Sequence, residues 1–248
     1  MKALVTGASS GIGRDIAIEL SNKGYDLILV ARSKGNLEQT AKMCNTKCEI
    51  YQADLSNKEE CINLYSKYKK IDILVNNAGY GLFGAFDKTD LDRELNMIDL
   101  NIKSVHILTK LYLKDMIKKD SGRILNVAST AAFFAGPLMD TYYSTKSYVL
   151  RLTEAIFEEL RHNKSNVKVS VLCPGPVDTN FNDVADVKFS MKSLSSKYVA
   201  KYTVDKMFKN KLVIIPGLSN RLAFIGSKFL PLKFKLKMVF KIQKRKEK

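Results

Sequence analysis

Short apolar runs rich in Val, Ile and Leu recur at residues 2–6, 27–31, 48–52, 71–76, 123–129, 167–173 and 212–215. Their length suits strands buried on both faces, where alternation gives way to continuous hydrophobicity. Between them, residues 12–23, 57–69, 90–119 and 141–162 are long enough for crossover helices. A strand-helix alternation of this kind predicts an α/β fold: a doubly wound parallel sheet of about seven strands with helices on both faces. Its ligand site is expected at the carboxyl ends of the strands. No internal repeat and no low-complexity linker divides residues 1–217, and 248 residues suit one sizeable core. One domain is therefore expected over 1–217, followed by a separate extension over 218–248.

The extension has a different pattern. Leu222, Ile225, Phe229, Leu232, Leu236 and Phe240 recur at intervals of three, four or seven, as an amphipathic helix requires. Leu232, Phe234, Leu236, Met238, Phe240 and Ile242 also alternate in twos, and Pro231 interrupts any continuous helix, so helical segments are the favoured reading. Charge sharpens the contrast. Residues 187–248 hold 17 of the 41 Lys and Arg but only two of the 25 Asp and Glu, leaving 24 basic against 23 acidic residues before them. An acidic partner would therefore meet this quarter of the chain. Three uses compete: packing against the body or a second subunit, an interfacial anchor on anionic membrane, and nucleic-acid contact, the last being least favoured because no nucleic-acid fold surrounds the Phe residues. No charge-free run of 18 apolar residues exists, which argues against a spanning helix but not against a surface anchor. Cys44, Cys48, Cys61 and Cys173 lack metal-site spacing and the first residues resemble no secretory signal, so free thiols in the cytoplasm and no metal are expected.

Chemistry enters at the first strand's end, where Thr6-Gly7-Ala8-Ser9-Ser10-Gly11-Ile12-Gly13 leads into a helical stretch. Glycine lets backbone turn sharply and approach a pyrophosphate, while the next helix offers unsatisfied N–H groups and the positive end of its dipole. Gly7, Ser9, Ser10, Gly11, Ile12 and Gly13 are thus a candidate phosphate cradle. The second strand ends Leu29-Val30-Ala31-Arg32, with no acid where an NAD site places one against the ribose 2′-hydroxyl. An Arg there suits a 2′-phosphate, favouring NADP(H) over NAD(H); a solvated arginine is the plain alternative. Ser10 and Ser33 are positioned to assist.

Further on, Tyr142 and Lys146 are four apart in a helical stretch, placing a phenol and an ammonium on one face. A nearby cation favours phenolate and brings the group toward acid-base service. Tyr143 is a rival, since Lys146 is its i+3 neighbour. Ser129 closes the fifth apolar run 13 residues before Tyr142, and Asn101 lies in the preceding long helical stretch.

These motifs together resemble the short-chain dehydrogenase/reductase family, with its TGxxxGxG and YxxxK signatures and Rossmann-type sheet. The resemblance runs in order from Lys2 to about Gly217, and its register selects Tyr142 over Tyr143. It implies catalytic roles for Ser129, Tyr142, Lys146 and Asn101: proton donation by Tyr142, oxygen stabilisation by Ser129, ribose orientation and a lowered phenol pKa from Lys146, and a water held by Asn101. It also implies that Asp54 meets the adenine, that Asn77, Ala78 and Gly79 support the cofactor wall, and that Pro174, Gly175, Val177 and Thr179 close over the nicotinamide. Taken singly, Asp54 also suits a helix cap, Asn76-Asn77 a local turn, and Pro174-Gly175 any turn. The implied function is NADP(H)-dependent interconversion of a small-molecule carbonyl and alcohol, in a homo-oligomer. The loop 179–196, expected over the substrate, holds no diagnostic cluster, and the apolar tail is the sole hint of a hydrophobic substrate. A dinucleotide sensor or scaffold without turnover is the alternative, although intact Ser129, Tyr142 and Lys146 count against it.

Overall fold

The computed structural model describes residues 1–179, 193–227 and 230–245. Seven parallel strands form one sheet in the order β3-β2-β1-β4-β5-β6-β9: β1 Lys2–Thr6, β2 Asp26–Ala31, β3 Cys48–Gln52, β4 Ile73–Asn76, β5 Arg123–Val127, β6 Lys168–Leu172 and β9 Val213–Ile214. A separate short pair joins β7 (Val177–Asp178) to β8 (Leu194–Ser195). The chain winds outward from β1 to β3, then crosses back to place β4 on the other side of β1, with Ala3 paired to both Leu27 and Ile73. This reversal opens a crevice beyond the carboxyl ends of β1 and β4.

Strand side chains alternate between two buried faces. Ala3, Val5, Leu27 and Leu29 pack with Ile16 and Leu20 of α1 (Gly11–Asn22), Leu37 of α2 (Lys34–Lys42), and Val199 and Val204 of α7 (Ser196–Phe208). Leu4, Ile28, Val30 and Leu74 face Leu64 of α3 (Lys58–Lys67), Leu108 and Tyr112 of α5 (Ser104–Lys119), and Ile156 and Leu160 of α6 (Asp140–His162). The expected run of helix over 90–119 is α4 (Leu91–Ile98), a π-helical turn at Asp99–Lys103, and α5. A buried amide chain crosses the second layer: Asn76 Nδ2 donates to Thr109 Oγ1 (3.0 Å) and Asn126 Oδ1 (2.8 Å), and Asn126 Nδ2 donates to Thr153 Oγ1 (3.0 Å).

Two differences from the sequence expectation affect the site. The fifth strand stops at Val127, leaving Ser129 as the cap of a 3-10 turn, Thr130–Phe133, with its oxygen accepting from Ala131 N at 3.1 Å. The tail forms α8 (Leu218–Ser227) and α9 (Leu232–Lys244), so its spacing of three and four prevails over its alternation in twos, and Pro231 caps α9. Of the loop expected to cover the substrate, residues 180–192 lie outside the described residues. No helix among the described residues is long and apolar enough to cross a membrane.

Candidate active site

One cavity of about 890 Å³ runs along the carboxyl edge of the sheet from the glycine loop to α9. Every predicted site residue lines it except Gly13 and Asn101. At the loop end, Gly7 (φ +64°) and Gly11 (φ +54°) occupy left-handed backbone that other residues resist. Gly11 starts α1 and lines the cavity with Ser10 and Ile12, so the positive end of that helix opens onto it. Gly13 has a packing role: a Cβ there would collide with Gly7 O and Asn77 Nδ2. Asn77 fastens β4 to the loop, its Nδ2 donating to Thr6 O and Gly7 O at 3.1 Å each. Thr6 Oγ1 accepts from Asn77 N (2.9 Å) and Ala78 N (3.0 Å).

Arg32 and Asp54 stand exposed on this rim, with Nη1 and Oδ2 3.8 Å apart. The other Asp54 oxygen accepts from Ser56 N (3.0 Å) and Ser56 Oγ (2.8 Å), whereas the helix cap that its sequence also allowed falls to Asn57, whose side chain accepts from Glu59 N.

At the inner end, Tyr142 makes a side-chain hydrogen bond with Ser129, whereas the Tyr143 hydroxyl accepts from Gln243 Nε2 at 2.5 Å. The two tyrosines are thereby separated: Tyr142 reaches the cap of the turn that follows β5, and Tyr143 reaches the tail. Lys146 Nζ lies 5.8 Å from the Tyr142 ring centre and donates to Val127 O at 3.0 Å. Burial pushes the Tyr142 phenol up, opposed by the Ser129 hydrogen bond and reinforced by Tyr143. The lowering expected from Lys146 is not seen. That ammonium is tied to the β5 carbonyl, and its own pKa is pushed down by burial to about 8, with Cys173 pulling it the other way.

Asn101 is fully buried in the π-helical turn, a local geometry frequent at functional sites. Its Nδ2 donates to Tyr80 O (2.9 Å) and Thr145 Oγ1 (3.1 Å), and its Oδ1 accepts from Tyr80 N (3.1 Å). Gly79 lies between the Asn101 turn and α6: a Cβ there would sit 2.8 Å from Asn101 Oδ1 and 3.2 Å from Lys146 Nζ. Pro174 follows β6, its carbonyl accepting from Thr130 N at 2.9 Å. Gly175 lies under the Asn220 side chain, Val177 is buried, and the Thr179 methyl packs toward Gly11.

Sequence reasoning missed the apolar end of the cavity, formed by Phe133, Phe134 and Met139 with Phe224, Met238 and Val239 of the tail. The spacing of the tail indicated a helix with a buried face. It gave no sign of what that face covers.

A glycine-cradled helix terminus at a sheet crossover, continuous with a Ser-Tyr-Lys cluster, defines a nicotinamide-dinucleotide oxidoreductase fold. The family model described as short chain dehydrogenase matches residues 1–188, and the chain belongs to the short-chain dehydrogenase/reductase family of oxidoreductases. An uncharacterized oxidoreductase of Staphylococcus saprophyticus is 35% identical over 210 residues, covering 82% of this chain and 88% of that protein. A short-chain dehydrogenase from Sphingobium yanoikuyae in complex with NADPH superimposes with a TM-score of 0.83 at 27% identity, over 92% of this chain and 93% of that one. A family member from Burkholderia phymatum in complex with NAD gives 0.80 at 23% identity, over 91% and 90%. Relatives of this fold thus hold either nicotinamide dinucleotide.

Proposed function

We propose that this chain is a cytoplasmic NADPH-dependent reductase of a bulky, apolar carbonyl compound. The observation that carries the reading is Tyr142, bonded to Ser129 and above Lys146, at the inner end of a cavity whose other end is the glycine cradle. The cradle fits a dinucleotide because Gly7 and Gly11 hold left-handed backbone and the α1 terminus faces the space they leave. When bound, the reduced nicotinamide supplies the hydride that the carbonyl carbon receives.

The remaining work falls to side chains. A phenol raised by burial stays protonated at neutral pH, the form that gives a proton to a carbonyl oxygen. Ser129 holds the same oxygen through its hydroxyl. Lys146 orients the ribose and, with a pKa near that of the medium, returns a proton toward Tyr142. Asn101 positions Tyr80 and Thr145 and holds a water beside Lys146 across Gly79. Asp54, Asn77, Ala78 and Gly79 form the adenosine and ribose wall, and Pro174, Gly175, Val177 and Thr179 cover the nicotinamide. Arg32, helped by Ser10 and Ser33, reads the 2′-phosphate. Phe133, Phe134, Met139 and Phe224 leave an apolar space for the substrate. Exposed Leu91 and Leu95 on α4 support a contact in a homo-oligomer.

The test follows nicotinamide absorbance as purified protein meets a panel of aliphatic, aromatic and polycyclic ketones and aldehydes. Turnover of bulky ketones with NADPH, slower with NADH, is expected. Tight NADPH binding with no turnover across the panel would instead establish a dinucleotide sensor.

A further inference from the structure

The C-terminal helices turn different faces to the protein and to water. Inward, Arg221 Nε donates to Ile215 O at 2.8 Å, the Phe224 ring lies 4.0 Å from that of Phe133, and Val239 and Gln243 are buried. Outward, α8 presents Leu218, Leu222 and Ile225 at i, i+4 and i+7, exposed by 70%, 60% and 53%. This inverts the pattern of a water-facing helix, which keeps its apolar stripe toward the core. On α9, Phe234 and Phe240 are 57% and 44% exposed among exposed Lys233, Lys237, Lys241 and Lys244. Residues 218–248 carry ten Lys and Arg and a single acid, Glu247.

We propose that α8 and α9 form a docking surface for an anionic lipid bilayer, lying in its interface without crossing it. Exposed leucine and phenylalanine enter the headgroup boundary, and the lysines around them meet lipid phosphate. Charge complementarity selects this occupant. An isologous contact with a second copy would set two strongly basic surfaces against each other. The near-neutral remainder of the chain, with 24 basic and 23 acidic residues before Val187, offers no net acidic counterpart. Nucleic acid would satisfy the lysines and leave the leucine stripe in water.

The location adds a consequence for the substrate. Met238, Val239 and Ile242 on the same helix line the active-site cavity, so docking sets the substrate space directly above lipid. The reductase then takes a carbonyl compound dissolved in the bilayer, an extension that rests on the reductase reading, whereas docking itself does not.

The experiment uses the full chain in co-sedimentation with vesicles of phosphatidylcholine alone or mixed with phosphatidylglycerol, at low and high salt. Two variants accompany it: L222Q/I225Q/F234Q, which removes exposed apolar groups, and K237E/K241E, which reverses charge; all five positions lie outside the cavity wall. Wild type should bind the anionic vesicles about tenfold or more above the neutral ones. Each variant should lose at least about tenfold, with thermal midpoint and NADPH binding unchanged. Equal binding to both vesicles, binding to neither, or variants that bind as wild type would overturn the proposal. So would a change of oligomeric state in the variants without vesicle binding by wild type, which assigns the surface to a second copy. Turnover of a vesicle-dissolved ketone should fall in both variants while that of a water-soluble ketone holds. If no ketone is turned over yet anionic vesicles still bind, the reductase reading fails and docking stands.

Discussion

Replacing Arg32 with alanine separates the two nicotinamide dinucleotides on energetic grounds. In the structure Arg32 faces Asp54 at 3.8 Å, with the arginine side chain 71% exposed. Two unit charges at that distance in water attract by about 1 kcal/mol, and exposed pairs return no more than that after side-chain ordering. The pair is therefore a minor stabiliser, and Arg32→Ala should leave the thermal midpoint almost unchanged. A charge-assisted bond to the 2′-phosphate of NADPH contributes roughly 1.5 to 3 kcal/mol. Subtracting the lost Asp54 contact leaves about 0.5 to 3 kcal/mol, a preference that runs from about twofold to about 150-fold and centres at about twentyfold. NADH makes no such contact, so its affinity should stay within a few-fold. Calorimetric or fluorescence titration of both dinucleotides into wild type and variant reads the difference directly. Equal losses for NADPH and NADH would refute the assignment of Arg32 to the 2′-phosphate.

Three other expectations follow from the geometry. Tyr142→Phe should retain fold and dinucleotide affinity but lower turnover by ~10²-fold or more, while Tyr143→Phe, which loses only its bond to Gln243, should do far less; near-normal steady-state rates in Tyr142→Phe would end the assignment. Gly13→Ala drives a methyl into Gly7 O and Asn77 Nδ2, an overpacking worth ~1–3 kcal/mol, so melting should fall by roughly 2 to 12 °C and dinucleotide affinity should drop; an unchanged melt with unchanged affinity contradicts it. Because burial places the Lys146 pKa at about 8, the ammonium is charged below that pH and neutral above, so kcat/KM for the dinucleotide should hold at neutral pH and decline as pH rises through about 8. Lys146→Met should lack that limb, and a wild-type profile flat from about pH 7 to about pH 9.5 would count against the role.

The strands were legible because burial on both faces writes itself as continuous runs, as at Ala3, Leu4 and Val5, where no alternation has to be decoded. The glycine loop and the Ser129, Tyr142 and Lys146 set were legible because each needs particular residue types at fixed separations. Helix α2 was not: Leu37 and Thr40 are its only buried residues, too few to produce a periodic signal. Ala128 continues the apolar run and so places Ser129 at a strand end by pattern alone, yet its side chain caps the turn that follows. The apolar wall stayed hidden for another reason. Val239 points in and its neighbour Phe240 points out, so hydrophobicity alone does not tell which face of α9 belongs to the protein. The phenol of Tyr142 shows the limit of arguing from spacing: four residues set Lys146 on the same helix face, but burial and the hold of Val127 O decide what the charge does.

The fastening of the glycine loop also orders events during folding. Strands β1 and β2 meet across a short excursion, but the bonds that shape the loop come from Asn77 and Ala78, some seventy positions further along the chain. Closing so long a segment is entropically slow, and β4 must dock beside β1 before Thr6 and Gly7 acquire those partners. Pairing of the first three strands alone would therefore leave the glycine loop without the bonds that shape it in the native structure. Nucleotide binding during refolding should therefore track β1–β4 closure, and ligand added early should not change the rate of that step.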